Sequence, residues 1–294
     1  MTARIVDGKA MGQRIRDDVR AEVSELLAAG GPVPGLGVIL VGDDPASQVY
    51  VRNKTRACAE AGIYSEQADL PQTASEQEVL AQVARFNTGD AIHGILVQLP
   101  LPDQIDKATV ISAIDPAKDV DGLHPINAGW LAMGLPRIVP ATPAGVMECL
   151  RREDVAIAGK RAVVVGRSAL VGRPVAQLLL LANATVTICH TGTRDLAAIT
   201  READILVVAA GRPALVTAAM VKPGATVVDV GLSRTPTGDD GGAPRMVGDC
   251  APDVAEVAGL LTPVPGGIGP LTIAMLLVNT VAAARRAPAR APTG

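Results

Sequence analysis

Apolar runs of strand length alternate with helix-period stretches along the whole chain, and that alternation limits the possible folds more than any other feature. Such runs form βαβ units with a mostly parallel sheet, because a parallel neighbour is reached only by a crossover long enough to hold a helix. In the first half, helices are expected over residues 8–29, from Asp44 onward and over 75–86, with strands over 36–41, 63–70 and 94–98. In the second half, strands are expected over 162–165, 185–189, 205–209 and 226–230 with helices between them, a doubly wound arrangement. A last helix is expected over 270–286, after a glycine-rich turn. The segment 99–143, rich in Pro, Gly and Asp, reads as holding the crossover between two domains, and residues 236–244 as a surface loop or hairpin.

Two α/β domains fit the 294 residues. With one Phe, one Trp and two Tyr, the core must be filled by Ala, Val, Leu and Ile, so each aromatic needs its own explanation. The net charge of -3 is spread over interspersed signs with no basic block, which points away from nucleic acid and anionic membranes. Cys58, Cys149, Cys189 and Cys250 lie far apart without a C-x-x-C pair, so buried free thiols in a reducing compartment are expected. The N-terminal stretch has no apolar run of the signal-peptide kind. The most apolar run, 271–284, contains Thr and Asn and is too short to cross a bilayer, so a cytoplasmic protein is expected. Residues 287–294 read as a disordered tail. His93, His124 and His190 are not at ligand spacing, and no metal is expected.

The helix opening at Asp44-Pro45 carries an aromatic ring and an amine on one face. Asp is a favoured N-cap and Pro a favoured first residue. Tyr50 and Lys54 are four apart, in line with Ala57, Cys58 and Ala61, while Arg52, Arg56 and Glu60 form a separate solvated stripe. Lys54 is therefore expected to point toward protein. The plain alternative is a lysine stem lying over packed alanines.

Strand 162–165 runs into Gly166-Arg167-Ser168-Ala169-Leu170-Val171-Gly172-Arg173-Pro174 and an apolar helix, the strand, turn and helix N-terminus that cradle a pyrophosphate. Ser168 stands at the second glycine of the usual fingerprint, and the last glycine comes six residues after the first, so a simple tight turn is an equal reading. An NAD-type site places an acid at the end of the next strand. Here that end offers Thr191, Thr193 and Arg194 and no acid before Asp195, which suits a 2′-phosphate. Arg167, Thr191 and Arg194 are the candidates for it, and NADP preference is expected.

Gln98 ends a buried strand, Asp121 lies in the crossover, and Gly266, Gly267 and Gly269 precede the last helix; each has an ordinary structural alternative. Together Tyr50-x-x-x-Lys54, Gln98-Leu-Pro-Leu-Pro102, Lys118-Asp-Val-Asp-Gly122, Thr142-Pro-x-Gly145, Gly166-Arg-Ser-x-x-Val-Gly-x-Pro174 and Pro265-Gly-Gly-Ile-Gly-Pro270 resemble, in order and spacing, the bifunctional methylenetetrahydrofolate dehydrogenase/methenyltetrahydrofolate cyclohydrolase family. The resemblance covers residues 8–285. It implies a folate domain of residues 1–140 completed by the helix 270–286, a Rossmann-like NADP domain of residues 141–269, and a homodimer formed through the latter. It implies oxidation of 5,10-methylenetetrahydrofolate with NADP, then hydrolysis to 10-formyltetrahydrofolate, in one-carbon metabolism and purine biosynthesis. By the same resemblance Lys54, Gln98 and Tyr50 are catalytic, and Tyr50, Asp121, Gly266 and Gly267 bind substrate. Gly166, Arg167, Ser168, Gly172, Thr191, Arg194 and Ile268 bind the cofactor.

Departures from the family pattern are confined to details. Leu123 stands where an aromatic is usual, Ala141 where a cysteine is common, and 190–193 lacks a basic residue. Another NADP dehydrogenase on the same plan, or a nucleotide-sensing module, would leave Tyr50, Gln98 and Asp121 unexplained.

Overall fold

The computed structural model describes residues 2–234 and 245–287. In chain order the elements are β1 (Arg4–Ile5), α1 (Gly8–Ala28), β2 (Gly35–Val41), α2 (Pro45–Ala61), β3 (Tyr64–Leu70), α3 (Glu76–Thr88) and β4 (Gly94–Val97). Next come α4 (Lys107–Ala113), α5 (Pro125–Ala132), α6 (Ala141–Arg152), β5 (Arg161–Val165), α7 (Gly172–Leu181), β6 (Thr185–Cys189) and α8 (Leu196–Thr200). The chain continues through β7 (Ile205–Val208), β8 (Thr226–Asp229), β9 (Ser233–Arg234), β10 (Met246–Val247), β11 (Leu260–Leu261) and α9 (Ile268–Arg286). The expected tail beyond residue 287 and the expected loop at 236–244 lie outside the described residues. The flanking β9 and β10 pair antiparallel.

The chain divides into two compact units. Gln13–Ala141 with Ile273–Gly294 holds a three-stranded parallel sheet in the order β3-β2-β4. Strand β2 is central and buried along its whole length, which explains its unbroken apolar sequence. The one Phe of the chain, Phe86, is fully buried with Ile39, Val83, Ile95 and Val110. Trp130 carries the Arg137 guanidinium 4.2 Å above its ring.

Met1–Gly12 with Thr142–Thr272 holds a six-stranded sheet, β1-β11-β8-β7-β5-β6, parallel throughout. Its central strands β5, β7 and β8 are apolar and buried. At one edge β6 alternates Thr with apolar residues and is largely exposed.

Three expectations need correction. The first twelve residues belong with the six-stranded unit, not with the first domain, because Arg4 and Ile5 pair with Leu260 and Leu261 while Ala3 and Val6 are buried. A two-residue strand interrupted by Arg4 has too little apolar length to register as one. The crossover at 99–143 is more ordered than its composition suggests: it contains α4 and α5, and α6 begins at Ala141. Asp106 and His124 are the N-caps of α4 and α5. Helix α9 is 19 residues long and apolar enough to cross a membrane, so length does not argue against a span, but half of it is buried against protein.

Candidate active site

Helix α2 starts and stops where its residues require. The Asp44 carboxylate accepts from Ser47 N at 2.8 Å, Pro45 opens the first turn, and Gly62 closes the helix in the left-handed region. Ala57, Cys58 and Ala61 face inward and Arg52, Arg56 and Glu60 outward. Lys54 is half-buried and Tyr50, one turn before it, is 39% exposed.

The Lys54 ammonium donates to Gln98 Oε1 at 3.1 Å. Gln98 Nε2 donates to Leu99 O at 2.7 Å, which fixes the amide so that its oxygen is presented to the lysine. Gln98 N donates to Ile39 O, so the end of β4 is held by the sheet itself.

The Lys118-Asp119-Val120-Asp121 run is ordered by its first two residues. Lys118 Nζ donates to the Phe86, Asn87 and Gly89 carbonyls at the end of α3. Asp119 accepts from Leu123 N, His124 N and Asn127 Nδ2. Asp119 also bridges Ile95 in parallel, and Gly122 N donates to Asp119 O, so Val120 and Asp121 form a turn beside β4. Electrostatics agree with this placement. Burial pushes the Lys54 ammonium below the usual lysine range, with Asp121 and then Cys58 opposing it. Burial pushes Asp121 up, with Lys54 and then Lys107 opposing it. Burial lifts the Cys58 thiol to about 12, so it stays protonated. The unit thus offers an amine whose charge burial disfavours, a fixed carboxamide, a carboxylate with two acceptor oxygens and a partly exposed aromatic residue.

In the six-stranded unit the order of strands reverses between β5 and β7, because β6 and β7 lie on opposite sides of β5. Ligands of such sheets sit at the carboxyl ends beside that point. Gly166 leaves β5 at φ +123, and a Cβ there would fall 2.1 Å from Ala209 O. A Cβ on Gly172 would fall 2.1 Å from Gly166 O, so the first turn of α7 rests directly on the loop. Ser168 Oγ accepts from Val171 N and Gly172 N and so caps α7, a task a second glycine could not perform. After β6, His190 N donates to Thr193 Oγ1 and Gly192 N to His190 Nδ1. Arg167, Thr191 and Arg194 are exposed. These features fit a dinucleotide with a charged ribose substituent: a helix start at the glycine turn, a close backbone approach, two arginines and no acid at the β6 end before Asp195.

Gly266, Gly267 and the buried Ile268 lie in this same unit. The turn they form is tight, since a Cβ on Gly267 would fall 2.4 Å from Pro263 O. Tyr50, Lys54, Gln98 and Asp121 all lie in the three-stranded unit. Residues that sequence reasoning passed over are Asp229 and Asp249, both buried at the carboxyl edge of the six-stranded sheet. Their sequence signal is slight: Asp229 ends an apolar run two residues before Gly231, and Asp249 follows Gly248, an ordinary turn pattern.

A cavity of about 460 Å³ opens elsewhere, at the amino ends of β1, β7, β8 and β11. Its Arg4 and Lys222 are engaged by Glu153 and Asp204, and it lies on the edge of the sheet away from the Gly166 turn. Among the described residues no cluster of His, Cys, Asp or Glu is placed to hold a metal.

Fold and site together define a two-unit α/β enzyme with a Rossmann-like dinucleotide crevice in one unit and a lysine–carboxamide site in the other. Residues 6–121 match the catalytic domain of tetrahydrofolate dehydrogenase/cyclohydrolase, and residues 140–288 match its NAD(P)-binding domain. The chain belongs to the tetrahydrofolate dehydrogenase/cyclohydrolase family. It is 57% identical over 289 residues to the "Bifunctional protein FolD" of Caulobacter sp., covering 97% of each, and 56% identical to that of Bordetella avium, covering 97% and 99%. Among solved structures, the bifunctional FolD of Campylobacter jejuni superposes with a TM-score of 0.91 at 46% identity, covering 96% of this chain and 99% of that one. The Trypanosoma brucei enzyme, complexed with NADP and inhibitor, gives 0.91 at 43%, covering 97% and 98%.

Proposed function

We propose that Lys54, Gln98, Tyr50 and Asp121 carry the folate chemistry of this bifunctional enzyme, the three-stranded unit with α9 being the folate domain and the six-stranded unit the NADP domain. The enzyme oxidises 5,10-methylenetetrahydrofolate to the methenyl form and hydrolyses that to 10-formyltetrahydrofolate. The observation that carries the residue assignment is the half-buried Lys54 ammonium on Gln98 Oε1 at 3.1 Å, with Asp121 opposing its loss of charge.

For the hydrolysis, neutral Lys54 accepts a proton as water adds to the methenyl carbon. It returns that proton to N5 as the carbon–N5 bond breaks, while the new hydroxyl releases its own proton to solvent water and becomes the formyl oxygen, so one proton is released for each cation hydrolysed. Gln98 holds the amine on line. The exposed ring of Tyr50 provides a flat face for the aminobenzoyl group, and Asp121 accepts from the donor edge of the pteridine ring. For the oxidation, NADP supplies the hydride acceptor when bound. Gly166, Ser168 and Gly172 shape the pyrophosphate cradle, Arg167, Thr191 and Arg194 hold the 2′-phosphate, and Gly266, Gly267 and Ile268 form a close backbone wall.

Two variants test these roles. Lys54→Met is expected to lower the cyclohydrolase rate by about a hundredfold or more, the range of a lost general base, while NADP binding stays at the parent level. Formyl production at the parent rate would remove Lys54 from the mechanism. Arg167→Ala is expected to raise KM for NADP by about tenfold and leave KM for NAD unchanged, since a charge-assisted bond to the 2′-phosphate is worth roughly 1.5–3 kcal/mol. Equal losses with both cofactors would count against that contact.

The same reading includes a homodimer through the six-stranded unit. Its sheet ends at β6, whose Thr185, Thr187 and Ile188 are exposed, and the adjoining end of α7 exposes Leu180 and Leu181. A long edge strand beside exposed leucines is a surface that a second copy covers well. Free thiols at Cys58, Cys149, Cys189 and Cys250 suit the reducing cytoplasm.

A further inference from the structure

We propose that Asp249 is a positioning residue for NADP, acting through the backbone that leaves β7, with Asp229 holding Asp249 in place. The inference rests on the six-stranded unit being the NADP domain. Both carboxylates are buried, at 4% exposure for Asp229 and 0% for Asp249. A buried carboxylate needs compensation, and here backbone amides give it. Asp229 Oδ1 accepts from Gly231 N at 2.9 Å and Asp249 N at 3.0 Å, and its Oδ2 accepts from Cys250 N at 2.8 Å. Asp249 Oδ2 accepts from Ala210 N at 2.6 Å and Gly211 N at 2.8 Å. The glycines beside the acids leave room for nothing larger. A Cβ on Gly248 would fall 2.0 Å from Asp229 Oδ2, and one on Gly231 would fall 2.4 Å from Asp249 Oδ1.

The segment that Asp249 grips is the wall of the crevice facing the Gly166 turn. Ala209 N donates to Val165 O, and the missing Cβ of Gly166 points at Ala209 O. A dinucleotide seated at the start of α7 lies between these two turns. Because Asp249 takes both the Ala210 and Gly211 amides, their peptide planes are set before any ligand arrives, and NADP binding does not have to order them. Among the described residues the second Asp249 oxygen, Oδ1, is buried without a hydrogen-bond partner. Stability alone would not select an acceptor in that position. It also makes a prediction possible: Asn at 249 keeps an oxygen for the two amides and places an NH₂ where no donor is now met.

The test is calorimetric titration of NADP into the full chain, with the cofactor-free hydrolysis of methenyltetrahydrofolate as the control. Asp249→Ala is expected to weaken NADP about tenfold or more, and Asp249→Asn to stay within about threefold of the parent. Hydrolysis should stay within about twofold in both variants, since Lys54 and Gln98 belong to the other unit. The proposal is overturned if the Ala variant binds NADP like the parent, if Asn is as weak as Ala, or if hydrolysis falls in step with NADP affinity. Should the Ala variant fail to fold, amide exchange in the parent decides: Ala210 and Gly211 must be protected before NADP is added, and free exchange there overturns the role. A parent chain that binds no NADP at all sinks the domain assignment instead.

Discussion

Lys54 and Asp121 are each driven toward neutrality by burial and each holds the other partly charged. Replacing Asp121 with Asn removes the negative charge that raises the lysine, so Lys54 should lose its proton at lower pH than in the parent. The sign is fixed: with desolvation unopposed by that charge, the depressed lysine moves further down. Competitive labelling of the Lys54 amine across pH reads this directly, and a midpoint that stays put or moves up contradicts the coupling. At this scale the Lys54–Gln98 hydrogen bond joins two residues that the sequence singles out, since helix spacing puts Tyr50 and Lys54 on one face and Gln98 stands where prolines end a buried strand. Asp229 and Asp249 are not singled out. Their partners are backbone amides from segments up to 39 residues away, and no side-chain spacing encodes such a bond.

Helix α9 shows how one element can fix a distant turn. Asn279 Nδ2 donates to Val120 O at 2.8 Å and to Val139 O at 2.9 Å, so a polar residue in an apolar helix holds the turn that carries Asp121. Asn279→Ala would strip both carbonyls of their donor, at about 1–3 kcal/mol in unfolding free energy, and should raise KM for the folate more than it lowers kcat. Urea unfolding and steady-state kinetics check the two halves; an unchanged KM with lost stability would reduce Asn279 to a purely structural bond. The long elements were readable because their signals agree: Asp44-Pro45 begins α2, Ser75 and Glu78 form the capping box of α3, and buried strands are unbroken apolar runs. The short ones were not. Helices α4 and α5 are only seven and eight residues long and lie in a segment rich in Pro, Gly and Asp, and the two-residue strands β1 and β11 pair across some 256 positions, Arg4 with Leu260.

At the scale of the whole molecule both units are discontinuous: the first twelve residues join the six-stranded sheet and residues from Ile273 onward join the three-stranded unit. The return of the last helix was expected from family resemblance, whereas the placement of the first strand needed the sheet itself. That sheet also frames the assembly question. One edge, β1, is two residues long, too short to template another strand, while β6 is five residues long, with Ile188 42% exposed beside Leu180 at 62%. An edge of that length, lacking Lys, Arg and Pro, has none of the usual guards against pairing. If a second copy covers it, charge placed there will separate the copies and leave each chain folded, since both side chains already face outward. Sedimentation of the parent should give a dimer, and the Leu180→Glu/Ile188→Glu double variant a monomer with unchanged far-ultraviolet dichroism. A parent that sediments as a monomer at micromolar concentration, or a double variant that stays dimeric, would place the interface elsewhere or nowhere, because no arrangement using this edge tolerates four buried glutamates across a two-fold contact.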